Sequence, residues 1–241
     1  MWQPNILAII PARGGSKGIP NKNRNRIAGK PLIGWTVEHA TRCSKIDRTI
    51  VSTDCPHIAE IANQYGAETP FIRPAALAED TTATEPVILH LLNWLQEHEG
   101  YTPDLIILLQ CTSPVRHPDS LDHAIEQFVD GEYDSMVSTA PFWHFLWQDP
   151  NNPKAQYDFE NRPRRQDIPS EEIKYRENGS IYITKTDIYR SHNNRLGGHI
   201  GMYIMTEEES YEIDTPIDWC VNEAILQNMQ EHLLDHTEKD I

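Results

Sequence analysis

The chain reads as an α/β protein in which a mostly parallel sheet lies between two layers of helices, a Rossmann-like three-layer domain. Three features predict this: short apolar runs of strand length, helix-period segments between them, and a glycine-rich basic loop directly behind the first apolar run. Residues 1–241 are expected to form one domain, since a chain of this length can bury one substantial core.

Ile6 to Ile10 predicts a buried first strand, Pro31 to Cys43 a helix, and Arg48 to Thr53 a strand with a β-branched run. A helix near His57 to Tyr65, a short strand near Glu68 to Ile72 and a helix from Ala83 to Glu97 continue the alternation. The apolar strand Leu105 to Leu109, a helix near Pro118 to Val129 and a strand near Ser135 to Thr139 follow. Such alternation implies right-handed crossovers, with ligands held beyond the carboxyl ends of the strands. The loops after Ile10, Ile72 and Leu109 are expected to meet there.

From Ala140 to Glu177 the pattern breaks. Aromatic residues crowd Phe142 to Trp147, and prolines and asparagines interrupt any periodicity, so residues 140–177 read as an insertion. It is either a surface excursion or a partner-binding element, and its aromatic area favours a partner. Near the end, Thr215-Pro216-x-Asp218 reads as a helix start with an N-cap, a first-turn proline and an acid at N3. The polar residues from His232 to Ile241 are expected to fray.

Charge is unevenly placed. The formal net charge is −15, yet the first 37 residues carry Arg13, Lys17, Lys22, Arg24, Arg26 and Lys30 and no acid. A local basic pocket in an acidic protein suits a small anion, whereas a nucleic-acid binder needs a broad basic surface. No apolar stretch approaches 18 residues, and Met1 to Pro4 leads directly into the first strand, so no membrane role is expected and the protein reads as cytoplasmic. Cys43, Cys55, Cys111 and Cys220 lack C-x-x-C spacing, which leaves buried reduced thiols as the expectation.

The segment I-I-P-A-R-G-G-S-K-G-I-P-N-K-N at residues 9–23 is the most specific feature. A strand opening into glycines, Arg13, Ser16, Lys17 and Lys22 can wrap backbone N–H groups and cations around a polyphosphate. Neither G-x-x-x-x-G-K-[ST] nor G-x-G-x-x-G is present, so this is a third kind of phosphate loop. Lys17, between glycines that suggest a ligand-approaching backbone, is its central cation.

Four further segments occur in order: R-P-A-A-L-A-E-D-T-T-A-T at 73–84, L-L-Q-C-T-S-P-V-R at 108–116, R-Q-D-I-P at 165–169 with R-E-N-G-S-I-Y-I at 176–183, and Y-E-I-D-T-P-I-D at 211–218. With the basic loop they span nearly the whole chain, and together they resemble the CMP-sialic acid synthetase family. Its members are cytidylyltransferases that activate nine-carbon keto-sugar acids of the sialic, legionaminic and pseudaminic types. The resemblance implies a nucleotidyltransferase fold and CMP transfer from CTP to a nonulosonic acid. It also implies a magnesium or manganese ion and a homodimer whose 140–177 element reaches into the partner's site. A nucleotidyltransferase for another sugar or sugar phosphate, or a non-catalytic nucleotide-binding relative, remains the alternative.

Residue by residue, the resemblance implies that Arg13, Ser16, Lys17 and Lys22 hold phosphates, that Asn23 contacts ribose, and that Arg13, Lys17, Lys22 and Asp214 form the catalytic set. Arg73 with Thr82 to Thr84 would read the cytosine edge, through a guanidinium donor to O2 and a backbone acceptor for N4. Gln110, Thr112, Ser113, Arg165, Gln166, Arg176 and Asn178 would serve the acceptor, where an arginine fork suits a carboxylate, and Gly179 would serve the backbone turn. Simpler readings stand beside these: Arg13 and Lys22 as surface charges, Arg73 as a strand terminator, Ser113-Pro114 as an ordinary turn.

Glu212 and Asp214, two apart on an expected strand, would share one face and a metal. Here the chain has E-I-D where D-I-D is the common pattern, which makes Asp214 the firmer ligand. A second departure is the aromatic wall Phe142 to Trp147, which suits a nonulosonic acid other than sialic acid.

Overall fold

The protein is described here over residues 3–237 by a computed structural model. In chain order its elements are β1 (Ile6–Pro11), the short pair β2 (Arg26–Ile27) and β3 (Lys30–Pro31), α1 (Leu32–Arg42), β4 (Arg48–Ser52), α2 (Pro56–Gln64) and α3 (Thr84–Glu99). Then come β5 (Leu105–Leu109), α4 (Ser120–Asp130), β6 (Ser135–Phe142) and a second short pair, β7 (Trp147–Gln148) and β8 (Lys154–Ala155). The chain closes with β9 (Lys174–Lys185), α5 (Thr186–His192), β10 (Ile200–Ile204) and α6 (Pro216–Thr237).

Six strands make one sheet in the order β10-β6-β9-β5-β1-β4. β1 pairs in parallel with β4 and β5, and β10 with β6, as helical crossovers require. β9 alone runs antiparallel to its neighbours β5 and β6, because it returns from the 140–177 segment and needs no crossover helix. Leu109 pairs with Ile181, so Arg176 to Ser180 lie at the carboxyl end of β5, on the rim where β1 and β4 also end.

Alternation along the strands builds two cores. Ala8, Ile10, Ile107, Ile181 and Ile183 face α1, α2 and α4, while Leu7, Ile9, Ile106, Leu108 and Tyr182 face α3 and α5. A third cluster joins Ile27, Leu32, Trp35, Val115, Ile213 and Leu226, and thereby fastens α6 and the segment before it to α1. Each such buried aliphatic side chain contributes about 1.5–3 kcal/mol.

Several expectations need correction. Glu68 to Ile72 forms only one parallel bridge, Ile50 to Glu68, because Pro70 supplies no N–H to extend the ladder. The segment holding Glu212 and Asp214 is no strand of any described sheet; its backbone tie to the β5 end is the Ile213 N–H, which donates to the Thr112 carbonyl at 2.7 Å. β6 continues through Phe142 and β9 starts at Lys174, so the 140–177 segment overlaps the paired ends of two core strands. Helix α6 spans Pro216–Thr237 and so includes His232, and residues 238–241 of the segment expected to fray lie outside the described residues.

The start of α6 is as expected. The Asp218 carboxylate accepts from the Thr215 N–H at 2.7 Å, and the Asp218 N–H donates to the Thr215 hydroxyl at 3.3 Å. These bonds hold the Asp218 carboxyl below the usual range. Cys43 and Cys111 are buried free thiols, whereas Cys220 is exposed. No described helix is long and apolar enough to cross a membrane.

Ile213 is fully buried in the third cluster. Ile213→Ala should cost about 2–5 kcal/mol, read as a lower urea midpoint with an unchanged denaturant slope.

Candidate active site

The basic loop leaves β1 and is folded back on itself. The Asn23 side-chain amide donates to the Arg13 carbonyl at 3.1 Å, and the Gly14 N–H donates to Asp54 Oδ1 at 2.8 Å. Arg13 and Lys17 both pair with Asp80, at 2.5 and 2.6 Å. Lys17 and then Arg13 pull the Asp80 carboxyl below its ordinary range. Ser16 is half-buried in the same loop. The loop's cations are therefore not bare: an acid from a distant segment sits where two of them converge. Lys30 is drawn away from the loop, paired with Glu38 and stacked over Trp35.

The glycines do not all serve a ligand. A Cβ on Gly18 would stand 2.5 Å from the Asp214 carbonyl oxygen, so this position is a close backbone contact within the protein. Lys22 completes the same joint: its Nζ donates to the Ile213 carbonyl at 2.6 Å and lies 3.6 Å from Asp214 Oδ1.

Arg73 is 4 % exposed and enters by the β4 end, its N–H donating to the Thr53 carbonyl at 2.7 Å. Burial lowers its pKa, and the nearby Asp54 charge opposes that shift. Its Nε is buried without a hydrogen-bond partner among the described residues. Arg73, Arg13, Asp80, Thr82 and Thr84 line a cavity of about 270 Å³. A buried cation with an unspent donor beside a cavity is a feature that strand termination does not require.

At the β5 end, Gln110 and Thr112 are half-buried while Ser113 and Arg116 are wholly buried. Ser113 donates to the Asn178 carbonyl at 3.1 Å, and Arg116 to the carbonyls of Gln110 and Ser180. Asn178, expected near the acceptor, has no exposed surface: its Oδ1 accepts from Ser138 at 2.6 Å and its amide donates to Ser210 at 3.0 Å. It pins β9 to β6 at the bulge between Val137 and Thr139.

Gly179 follows with φ of 63°, and a Cβ there would lie 2.6 Å from Gln110 Oε1 and 2.9 Å from Glu212 Oε1. Gln110 and Glu212 thus meet over a glycine that leaves them room. Arg176 is exposed and anchored to the Ser210 carbonyl at 2.9 Å.

Although Glu212 and Asp214 are not on a strand, Ile213 between them is buried and both carboxylates remain on the rim. Burial, and after it the charge of Asp214, raises the Glu212 pKa, whereas the Asp214 side chain is 72 % exposed. Two oxygen donors fit a hard divalent ion that takes its remaining ligands from phosphate and water. Among the described residues no cluster of three or more His, Cys, Asp or Glu could hold a metal ion.

The structure therefore brings together Arg13, Lys17, Lys22, Asn23, Arg73, Thr82, Thr84, Gln110, Thr112, Glu212 and Asp214 on one rim. Arg165 and Gln166 are placed apart, within the 140–177 segment, where Arg165 stacks over Trp143 at 4.8 Å. That segment carries its own cavity of about 670 Å³, lined in part by Phe142, Trp143, Phe145, Tyr157 and Ile168. Two residues of the rim went unforeseen. Asp80 stands inside the quoted R-P-A-A-L-A-E-D-T-T run, and Asp54 follows a buried strand in S-T-D. A carboxylate at a strand end opposite a basic loop is the signal that marks Asp54, whereas Asp80 lies in the turn before α3.

A phosphate loop, a buried arginine beside a cavity and a carboxylate pair, all at the carboxyl rim of a three-layer α/β sheet, define a nucleotidyltransferase. The chain belongs to the cytidylyltransferase family, whose pattern matches residues 7–241. It is 37 % identical over 239 residues to a CMP-N,N'-diacetyllegionaminic acid synthase of Legionella pneumophila, covering 95 % of this chain and 99 % of that protein. It is also 37 % identical to an N-acylneuraminate cytidylyltransferase of Oncorhynchus mykiss, over 91 % of this chain and 50 % of that longer protein. Among solved structures, a CMP:2-keto-3-deoxy-manno-octonic acid synthetase complexed with CTP shares the fold, with a TM-score of 0.66 at 17 % identity over 94 % of this chain and 99 % of that one.

Asn178→Ala should leave the buried Ser138 hydroxyl proton and the Ser180 N–H without their acceptor, at about 1–3 kcal/mol for each unsatisfied group. Calorimetry should show a lowered Tm, while KM for the sugar substrate stays within about twofold, because the removed amide faces the interior.

Proposed function

We propose that this protein transfers CMP from CTP to the anomeric hydroxyl of a nine-carbon keto-sugar acid of the sialic, legionaminic or pseudaminic type. The convergence of Arg13, Lys17, Lys22, buried Arg73 and the Glu212 and Asp214 carboxylates on one rim carries this reading. The match to a CMP-N,N'-diacetyllegionaminic acid synthase over 99 % of its length supports it. In the same reading the enzyme works in the cytoplasm, where both substrates are soluble.

The hydroxyl oxygen attacks the α-phosphorus, a new P–O bond forms, the bond to the bridging oxygen breaks, and pyrophosphate departs as the hydroxyl proton is lost. Arg13 and Lys17 exchange Asp80 for triphosphate oxygens, which places fixed positive charge where the leaving group accumulates negative charge. Arg73 presents a donor to the pyrimidine edge in a dry site. Gln110 orients the acceptor beside Glu212, and Lys22 keeps Asp214 at the phosphates. Asp214, with Glu212, would hold a magnesium or manganese ion, which when bound supplies neutralisation of the triphosphate. Arg165 and Gln166, remote from their own rim, act on the acceptor of a second copy in a homodimer. The exposure of Trp147 (54 %) and Phe159 (57 %) supports that pairing.

Pyrophosphate release measured with CTP, UTP and ATP over a panel of nonulosonic acids tests the reading. Turnover should require CTP, and equal rates with UTP would overturn it. In the same assay Asp214→Asn should lower kcat by at least about a hundredfold and raise the magnesium requirement, since lost charge stabilisation at the transferring phosphoryl is worth roughly 3 kcal/mol. Glu212→Gln should cost less, because the chain has E-I-D where D-I-D is the common pattern, which leaves Asp214 the firmer ligand.

Sedimentation should show a dimer at assay concentration. Mixing an inactive Asp214→Asn chain with an inactive Arg165→Ala chain should restore part of the activity, and a fully active monomer would remove the dimer.

A further inference from the structure

We propose that Asp54 is the positioning residue that holds the base-reading arginine and the phosphate loop in one register, and so sets the preference for cytosine. The inference rests on the CTP reading above and concerns a residue outside the cations and carboxylates already discussed.

The end of β4 is a junction. The Ser52 carbonyl accepts the Ala12 N–H at 3.0 Å and the Thr53 carbonyl accepts the Arg73 N–H at 2.7 Å, so the phosphate loop and the base loop are both tied to this point. Asp54 is the next residue. A single oxygen of its carboxylate, Oδ1, accepts the Gly14 N–H at 2.8 Å and stands 3.7 Å from a guanidinium nitrogen of Arg73. The other oxygen lies close as well: a Cβ on Gly14 would come within 3.5 Å of Oδ2 and 3.0 Å of Cys55 Cβ. The loop therefore lies directly against Asp54.

The hydrogen bond and the ion pair make different demands. Holding the Gly14 amide needs only an oxygen acceptor, which an asparagine also offers. Arg73 needs the charge. It is 4 % exposed, Arg13 is the neighbouring cation that disfavours its charged form, and Asp54 is the acid that favours it. Lysines and arginines elsewhere on the rim have other acids, Asp80 for Arg13 and Lys17 and Asp214 for Lys22. Among the described residues Asp54 is the one acid within ion-pair distance of Arg73. With that charge in place Arg73 keeps a defined position lining the 270 Å³ cavity, and its buried Nε has no partner among the described residues.

The O2 that Arg73 meets is common to cytosine and uracil, so discrimination falls to the backbone acceptor for N4 in residues 82–84; a phosphate loop misplaced relative to Arg73 would present the base at the wrong depth for that acceptor. One carboxylate serving both groups makes triphosphate placement and base recognition a single adjustment rather than two.

The experiment uses the full-length enzyme with CTP and UTP, and compares wild type, Asp54→Asn and Asp54→Ala. Asp54→Asn retains the acceptor for Gly14 and loses the charge. It should raise KM for CTP about tenfold, cut the CTP over UTP preference in kcat/KM about tenfold, and change kcat by less than about threefold. Asp54→Ala also releases the Gly14 amide, and should in addition lower kcat and weaken inhibition by pyrophosphate. If the alanine variant does not fold, the asparagine variant decides alone. A wild type that prefers CTP together with an Asp54→Asn enzyme of unchanged KM and unchanged preference overturns the proposal. So does a loss confined to kcat. A wild type with no preference for CTP removes the underlying reading and the proposal with it.

Discussion

Lys22 reaches a partner 191 residues away in sequence, donating to the Ile213 carbonyl, and the cleft depends on that contact. It joins the loop that carries the cations to the segment that carries the carboxylates, and Gly18 packs against the Asp214 carbonyl at the same joint. Neither side is held by a regular ladder here, since residues 211–214 belong to no described strand. What fixes them is the burial of Ile213 beneath α6, one backbone bond to Thr112, and the charge of Lys22. Apolar burial supplies the stability, and the polar contacts supply the direction in which Glu212 and Asp214 point.

The distribution of charge follows a related logic. A loop with several cations and no acids of its own would repel itself, and the fold answers with acids from other loops. Asp80 serves Arg13 and Lys17, Asp54 serves Arg73, and Asp214 serves Lys22. The Asp80 pairs are partly exposed and individually weak. Such pairs order the cations without committing them, so an arriving polyphosphate can take them over.

Most of the architecture was legible because buried parallel strands announce themselves. Ile6 to Ile10 and Leu105 to Leu109 are apolar runs of strand length, and both form central strands. The limits were set by particular residues. Pro70 cut the expected strand at Glu68 to Ile72 down to one bridge. β9 begins with the exposed and mostly polar Lys174 to Glu177 and becomes apolar only from Ile181, so no period marks its start. In the site, residue types were readable and side-chain directions were not. Asn178 looked like a ligand-facing amide and is an interior staple, because it sits among the extra residues of β9 that face Ser138 at the register shift and bonds to that serine. Gly18 looked like a ligand's glycine and is Asp214's.

The place of β9 in the sheet has a consequence for how the chain is made. β4, β1 and β5 come from the first 109 residues and form one half of the sheet, while β6 and β10 form the other, and β9 alone joins them. Until residues 174–185 have left the ribosome, β5 has no partner on one side, although all five of its residues, Leu105 to Leu109, are destined for the interior. An open edge of that composition invites pairing with another nascent chain. Synthesis of the 140–177 segment thus sets a waiting time during which the half-sheet must be shielded, by its own helices or by a chaperone.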